Sequence, residues 1–343
     1  MEPRRADLVL EGGGVKGIGL AGAVATLARS GYTFPRVAGS SAGAVVAALA
    51  AALQRAGEPL ERLEDVARSL DYRRLRDRGA LGRMVGPLAR VVDGFSLAFD
   101  GGVFEGDYLR TWLKGTLADL GVRTFGDLRV TDEDSSHASP ALEGQYSLVV
   151  TASDVSRRRL VRLPWDYGEY NLDPDEQEVA DAVRASASIP FFFEPITLRS
   201  RTTDGETLVS TMVDGGVLSN FPVALFDRTD GRPPRWPTFG VRLSMRADGG
   251  VQTTEVNGTV SLALALVETM LEACDARHID DTCVQARSIF VDASGISPVD
   301  FSITDEMQEQ LLLAGHEAAG SFLARWDFER YLAQCRGFET DPP

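Results

Sequence analysis

Short, wholly apolar runs alternate along this chain with longer amphipathic ones, at the spacings of strands and helices. Leu8-Val9-Leu10, within 7–11, reads as a strand buried on both faces. It enters a glycine run and then a helical pattern over about 18–30, closed by Gly31. A second short strand over 36–39 leads through Ser40-Ser41-Ala42-Gly43 into an alanine-rich helical segment over 44–56. Strand, helix, strand and helix in the first fifty or so residues predict an α/β fold around a parallel sheet.

Farther along, 58–120 reads as mostly helical and amphipathic. Within it, Phe95-Ser96-Leu97-Ala98-Phe99 and Asp100-Gly101-Gly102 form a loop bearing apolar residues, and 77–106 is a candidate lid. Residues 131–145 are polar, acidic and aperiodic, an exposed excursion. Strands follow at 147–152 and 157–163, then a helix at 175–188 whose start Asp173-Pro174 marks. A hairpin over 197–213 turns at Asp204-Gly205 and delivers Met212-Val213 to Asp214. A strand at 239–243, a long helix from about 260, a strand at 288–292 and a helix at 304–325 complete the pattern. No internal repeat and no Pro- or Ser-rich linker interrupts it, so one domain is expected over 1–343, with its core at 7–325.

Composition adds limits. With 343 residues, 44% hydrophobic and 25% charged, the chain can bury a large core without staples. A net charge of -15 opposes adsorption to nucleic acid and to strongly anionic membranes, while leaving room for a local lipid-facing patch. The three cysteines, Cys274, Cys283 and Cys335, are read as free thiols of a reducing compartment, hence a cytoplasmic protein, peripheral at membranes. Cys274, His278 and Cys283 lack the second ligand pair of a zinc site, and Asp173 with Asp175 lacks the remainder of an EF-hand. No metal and no cofactor is expected. No secretory signal is visible after Arg4 and Arg5, and the longest apolar stretch, 42–53, is too short to span a bilayer.

The chemistry lies in three motifs. Gly12-Gly13-Gly14-Val15-Lys16-Gly17 joins a strand to a helix, where bare backbone N–H groups can face a negative oxygen. Alone it also matches the dinucleotide fingerprint through Gly12, Gly14 and Gly17. That reading requires an acidic residue about twenty positions on, and none occurs between Glu11 and Glu58. Gly39-Ser40-Ser41-Ala42-Gly43 is G-x-S-x-G between a strand and a helix, the setting of a nucleophile elbow. The helix that follows aims its positive end at a developing oxyanion. Asp214-Gly215-Gly216 follows an apolar strand; taken alone it is an ordinary turn, and beside the serine it is a base.

A Ser–His–Asp triad needs a histidine, and the chain has three: His137 in the polar excursion, His278 and His316 within helical patterns. The order Ser41, Asp214, His316 formally permits an α/β-hydrolase triad, yet only two strands precede Ser41. Without histidine the carboxylate takes the serine proton itself. Its ordinary pKa near 4 makes it weak, so the site must desolvate it and hold the oxyanion strongly.

These motifs, in this order, resemble the patatin-like phospholipase family. The similarity runs over about 7–325 and includes two weaker features, Ala185-Ser186-Ala187-Ser188-Ile189-Pro190 with Phe191 to Pro195 after it, and Asn220-Phe221-Pro222. It departs most at 131–145 and 77–106. The resemblance implies a three-layer α/β/α fold with a mostly parallel sheet and a metal-independent Ser–Asp dyad. Ser41 is then the nucleophile, Asp214 the base, and the N–H groups of Gly12, Gly13 and Gly14, with Gly17 and Ala42 beside them, the oxyanion site. Lys16 matches the family's basic position, where it steadies the loop, meets a lipid phosphate or simply occupies a solvated turn. The implied activity is hydrolysis of lipid acyl esters, of phospholipase A or lysophospholipase type, on lipid or phospholipid at a transient membrane contact. Transfer to an acceptor other than water stays open. The alternatives are a non-hydrolytic lipid- or membrane-interaction protein on the same fold, and a nucleotide-binding α/β protein.

Overall fold

A computed structural model describes residues 4–76, 102–104, 106–130, 146–202, 204–243 and 281–338, with isolated positions between 244 and 280. The candidate lid beyond these limits, the Phe95 to Phe99 loop, the 131–145 excursion, His137, Cys274 and His278 lie outside the described residues. So does most of the helix expected from about 260, although Leu262, Leu266 and Met270 are helical.

Among the described residues the central sheet has eight strands: β1 Asp7–Leu10, β2 Val37–Ser40, β3 Leu148–Asp154, β4 Arg159–Leu163, β5 Ile196–Arg201, β6 Thr207–Asp214, β7 Thr238–Leu243 and β8 Ser288–Val291. Their order is β8-β7-β1-β2-β3-β6-β5, with β4 also on β3. The run from β8 to β3 is parallel, while β4 and β6 are antiparallel to β3 and β5 to β6. Helices flank this sheet, the α/β architecture expected. Helix α1 (Gly17–Arg29) follows β1 and α2 (Ala42–Arg55) follows β2. Both are apolar on nearly every side because they are buried on nearly every side. Helix α3 (Asp107–Asp119) packs near α4 (Val179–Ser186). Helix α5 (Asp305–Leu323) lies close against α1, where Gly315 faces the Gly19 carbonyl.

One register feature decides where the chemistry sits. Strand β2 pairs with Leu148 to Thr151 of β3 and ends with Ser40 opposite Thr151. Strand β6 approaches from the other direction and pairs with Ala152 to Asp154, ending with Asp214 opposite Ala152. Because β4 occupies the other edge of β3 over Val150 to Asp154, β2 and β6 share one edge and meet end to end. Ser41 and Asp214 are the residues at that junction.

Several expectations are corrected. The helix at 175–188 is a 3-10 turn, Pro174–Glu176, then two extended residues, then α4. Phe125 N–H bonds the Gln177 carbonyl (3.0 Å) and Val179 N–H the Arg123 carbonyl (3.0 Å), so tertiary pairing overrides the helical pattern. Gly102–Phe104, read as loop, is a strand paired in parallel with Phe191–Phe193. Cys283 and Cys335, read as free thiols, form a disulfide with Cα atoms 5.3 Å apart. Their separation of 52 residues gave no local signal of pairing.

Candidate active site

Ser41 sits in a sharp turn with φ 52° and ψ -121°, a left-handed conformation that few non-glycine residues adopt. Surrounding contacts hold it there. Its N–H donates to Ser186 Oγ at 2.8 Å. The preceding Ser40 Oγ bonds Thr151 Oγ1 (2.6 Å) and the Ser219 carbonyl (2.9 Å). The turn also requires Gly43, where a Cβ would lie 2.3 Å from the Leu10 carbonyl oxygen.

Ser41 Oγ donates to Asp214 Oδ2 at 2.6 Å, and Gly216 N–H donates to Oδ1 at 2.8 Å. Asp214 is fully buried. Burial pushes its carboxyl up to about 7, against the opposing pull of the hydrogen bonds from Ser41 and Gly216. The desolvation that a histidine-free site demands is therefore present. His316, on α5, bonds Thr26 Oγ1 through Nδ1 at 2.9 Å and lies 3.6 Å from Glu64 through Nε2, so its ring nitrogens face α1 and Glu64.

The glycine loop divides into two parts. Gly12 N–H donates to the Asn220 carbonyl (3.1 Å) while Asn220 Nδ2 donates to the Gly12 carbonyl (3.2 Å), a reciprocal clamp. Gly17 N–H donates to the Gly14 carbonyl, and a Cβ there would come 2.9 Å from Ala42 Cβ. Gly12 and Gly17 thus anchor the loop instead of offering donors, a correction to the sequence expectation. The N–H groups of Gly13, Gly14 and Ala42 have no acceptor among the described residues. Gly14 has φ 57° and passes so close to Pro298 that a Cβ would overlap its carbonyl. Lys16 is buried rather than solvated, and it does not line the cavity beside Ser41.

Behind the loop, Glu11 accepts from Arg242 Nε (2.8 Å) and from Leu243 N–H (2.6 Å). The Leu243 side chain in turn lies against Gly13. An apolar cavity opens from Ser41, Ala42 and Gly14 between Val45, Leu49, Trp112 and Phe193. Of the supporting residues, Ser186 and Asn220 stood in recognisable motifs. Ser40, Thr151 and Glu11 were missed; their signal was that a polar residue in an apolar strand must find a partner.

The site is thus a buried serine–carboxylate pair at the end of a parallel strand, flanked by backbone N–H groups of Gly13, Gly14 and Ala42 and by an apolar cavity. Family comparison matches residues 8–227 to the patatin-like phospholipase family, and the chain belongs to that family of lipid acyl hydrolases. The "Uncharacterized protein YqhO" of Bacillus subtilis (strain 168) is 35% identical over 322 residues, 94% of this chain and 99% of that one. Among solved structures, VipD from Legionella pneumophila is similar with a TM-score of 0.48 and 18% identity, over 94% of this chain and 67% of that one. ExoU, in the ExoU-SpcU complex from the type III secretion system of Pseudomonas aeruginosa, is similar with a TM-score of 0.44 and 20% identity, over 94% of this chain and 52% of that one.

Proposed function

We propose that this protein hydrolyses carboxylic esters of lipids, of phospholipase A or lysophospholipase type, through an acyl-Ser41 intermediate. The observation that carries the reading is the 2.6 Å hydrogen bond from Ser41 Oγ to the buried Asp214 carboxylate. As Oγ attacks the acyl carbon its proton passes to Asp214, and the carbonyl oxygen becomes an oxyanion. Gly13, Gly14 and Ala42 N–H groups receive that charge, assisted by the start of α2. When the tetrahedral intermediate collapses, Asp214 returns the proton to the departing alcohol. Water then attacks the acyl-serine, giving its proton to Asp214, and release of the fatty acid restores Ser41 Oγ–H. The acyl chain occupies the apolar cavity beside Ser41.

No metal or cofactor enters this scheme. Lipid is met transiently at a membrane surface; among the described residues no helix is long and apolar enough to cross one. The cytoplasmic reading rests on composition, and the Cys283–Cys335 disulfide weighs against it. Alkylation of both thiols in fresh lysate tests it: reactive thiols agree, a blocked pair contradicts. The test of function is a lipid panel read by mass spectrometry, with wild type and Ser41→Ala in parallel. Release of free fatty acid by wild type alone supports the reading; no release by either, or equal release by both, overturns it.

A further inference from the structure

The edge of the sheet where the parallel strands begin carries a second built site. Arg36 immediately precedes β2 and Arg287 immediately precedes β8, so this edge lies opposite Ser41. Five residues at about 3.3 Å each, from Arg36 to Ser41, put the two edges roughly 16 Å apart. A cavity of about 30 Å³ opens there. Five of its lining residues are arginines and two are aspartates, in a chain whose net charge is -15.

Arg36 is paired with Asp7. Asp227 is shared by two guanidiniums, bonding Arg287 at 2.5 and 2.8 Å and Arg336 at 2.6 Å. Arg228 is paired with Asp230, a half-exposed carboxylate that accepts from two of its nitrogens. Arg287 is 4% exposed, and the Nε–H groups of Arg287 and Arg336, both shielded from solvent, have no acceptor among the described residues. Two buried cationic donors with no acceptor are costly unless an anion supplies one. The Cys283–Cys335 disulfide fastens the segment bearing Arg336 to the helix just before Arg287, so the two forks are held in place before any ligand arrives.

We propose that this pocket binds the phosphoryl group of a phosphate monoester. Guanidinium forks match tetrahedral oxyanions bidentately, and two guanidiniums sharing the single Asp227 carboxylate leave positive charge for an anion. The space suits a phosphoryl group and not the rest of a ligand. Trp236 is the wall it shares with an open cleft lined also by Trp326 and Phe328, where an apolar or aromatic body would lie. Such a monoester could be a free metabolite or a lipid head group.

The test is calorimetric titration of the full chain with inorganic phosphate at low salt, with a chloride control. Saturable binding is expected in wild type, weakened roughly tenfold or more in Arg336→Gln, the worth of one charge-assisted hydrogen bond. Arg336→Lys keeps the charge without the Nε–H fork and should recover only part of the affinity; it also decides the matter if Arg336→Gln fails to fold. Reaction of Ser41 with a fluorophosphonate should be unchanged in both variants, which separates this site from the catalytic reading. Flotation with phosphatidylcholine vesicles, with and without phosphatidic acid, distinguishes the sources. Arginine-dependent retention by phosphatidic acid points to a lipid head group, and phosphate binding without retention points to a free monoester. Failure of both probes to bind wild type, or binding indifferent to Arg336, overturns the proposal.

Discussion

Asp214→Asn should remove catalysis and stabilise the protein, and the second effect is the more searching one. Raising the carboxyl from 3.8 to about 7 corresponds to roughly 4 kcal/mol, at about 1.4 kcal/mol per pKa unit. Between about pH 4 and 7 the folded protein keeps a proton on Asp214 that the unfolded chain has released. Stability therefore declines as pH rises through that window, and the decline is complete above about 7. An isosteric amide carries no charge and escapes it. Its oxygen can still accept from Gly216 N–H while its NH2 donates to Ser41 Oγ, so both present contacts survive in neutral form. Allowing about 1 kcal/mol for the weaker bonds, the variant should be about 3 kcal/mol more stable than wild type at pH 8. For 343 residues that is about 4 °C in Tm, at about 2 cal/mol/K of unfolding entropy per residue. The assay is urea or thermal denaturation of both proteins at a series of pH values. The stability curves should cross, with wild type about 1 kcal/mol the more stable below about pH 4 and about 3 kcal/mol the less stable above about pH 7; parallel curves would refute the claim that burial of this charge is what tunes the base.

The same carboxyl predicts an acid limb in kcat/KM with a midpoint near 7 rather than near 4, because Asp214 must be ionised to take the proton; a profile flat from about pH 5 to 8 removes it as the base. Gly13→Val places a Cβ 2.5 Å from Leu243 Cδ1 and should lower turnover by about 10²–10³, the weight of one oxyanion donor. Fluorophosphonate labelling of Ser41 should slow in parallel, and an unchanged rate in a folded variant excludes the loop from catalysis. His316→Ala should leave kcat near wild type while lowering Tm modestly, since it breaks a bond to Thr26; a loss of kcat matching Asp214→Asn would restore a histidine triad.

Much of this was legible in the sequence where a local pattern had one physical meaning. A continuous apolar strand followed by glycines and a helix, twice over, could only be a parallel α/β core, and β1, β2, α1 and α2 lie where expected within a residue or two. That Ser41 and Asp214 belong to one site was legible because each sat in a motif at a strand end. Its geometry was not: the end-to-end meeting of β2 and β6 along β3 depends on register across more than one hundred residues, as the pairing of Ser40 with Thr151 shows. The division of the glycine loop was hidden for the same reason, since Gly12 is taken out of the donor set by Asn220, remote in sequence. The helix pattern at 175–188 misled because Gln177 and Val179 bond a distant segment in preference to their own turn. Cys283 and Cys335 carried no cue at all to their pairing.

The central claim is that Ser41 carries the acyl group and that Asp214, without histidine, activates it. The most direct measurement is intact-mass and peptide-mapping analysis after brief reaction with a fluorophosphonate, for wild type, Ser41→Ala, Asp214→Asn and His316→Ala. One adduct per chain, on the peptide containing Ser41, is expected in wild type and at a similar rate in His316→Ala. It should be absent in Ser41→Ala and slowed by orders of magnitude in Asp214→Asn. An adduct that persists in Ser41→Ala, or one that forms in Asp214→Asn as fast as in wild type, would contradict the account.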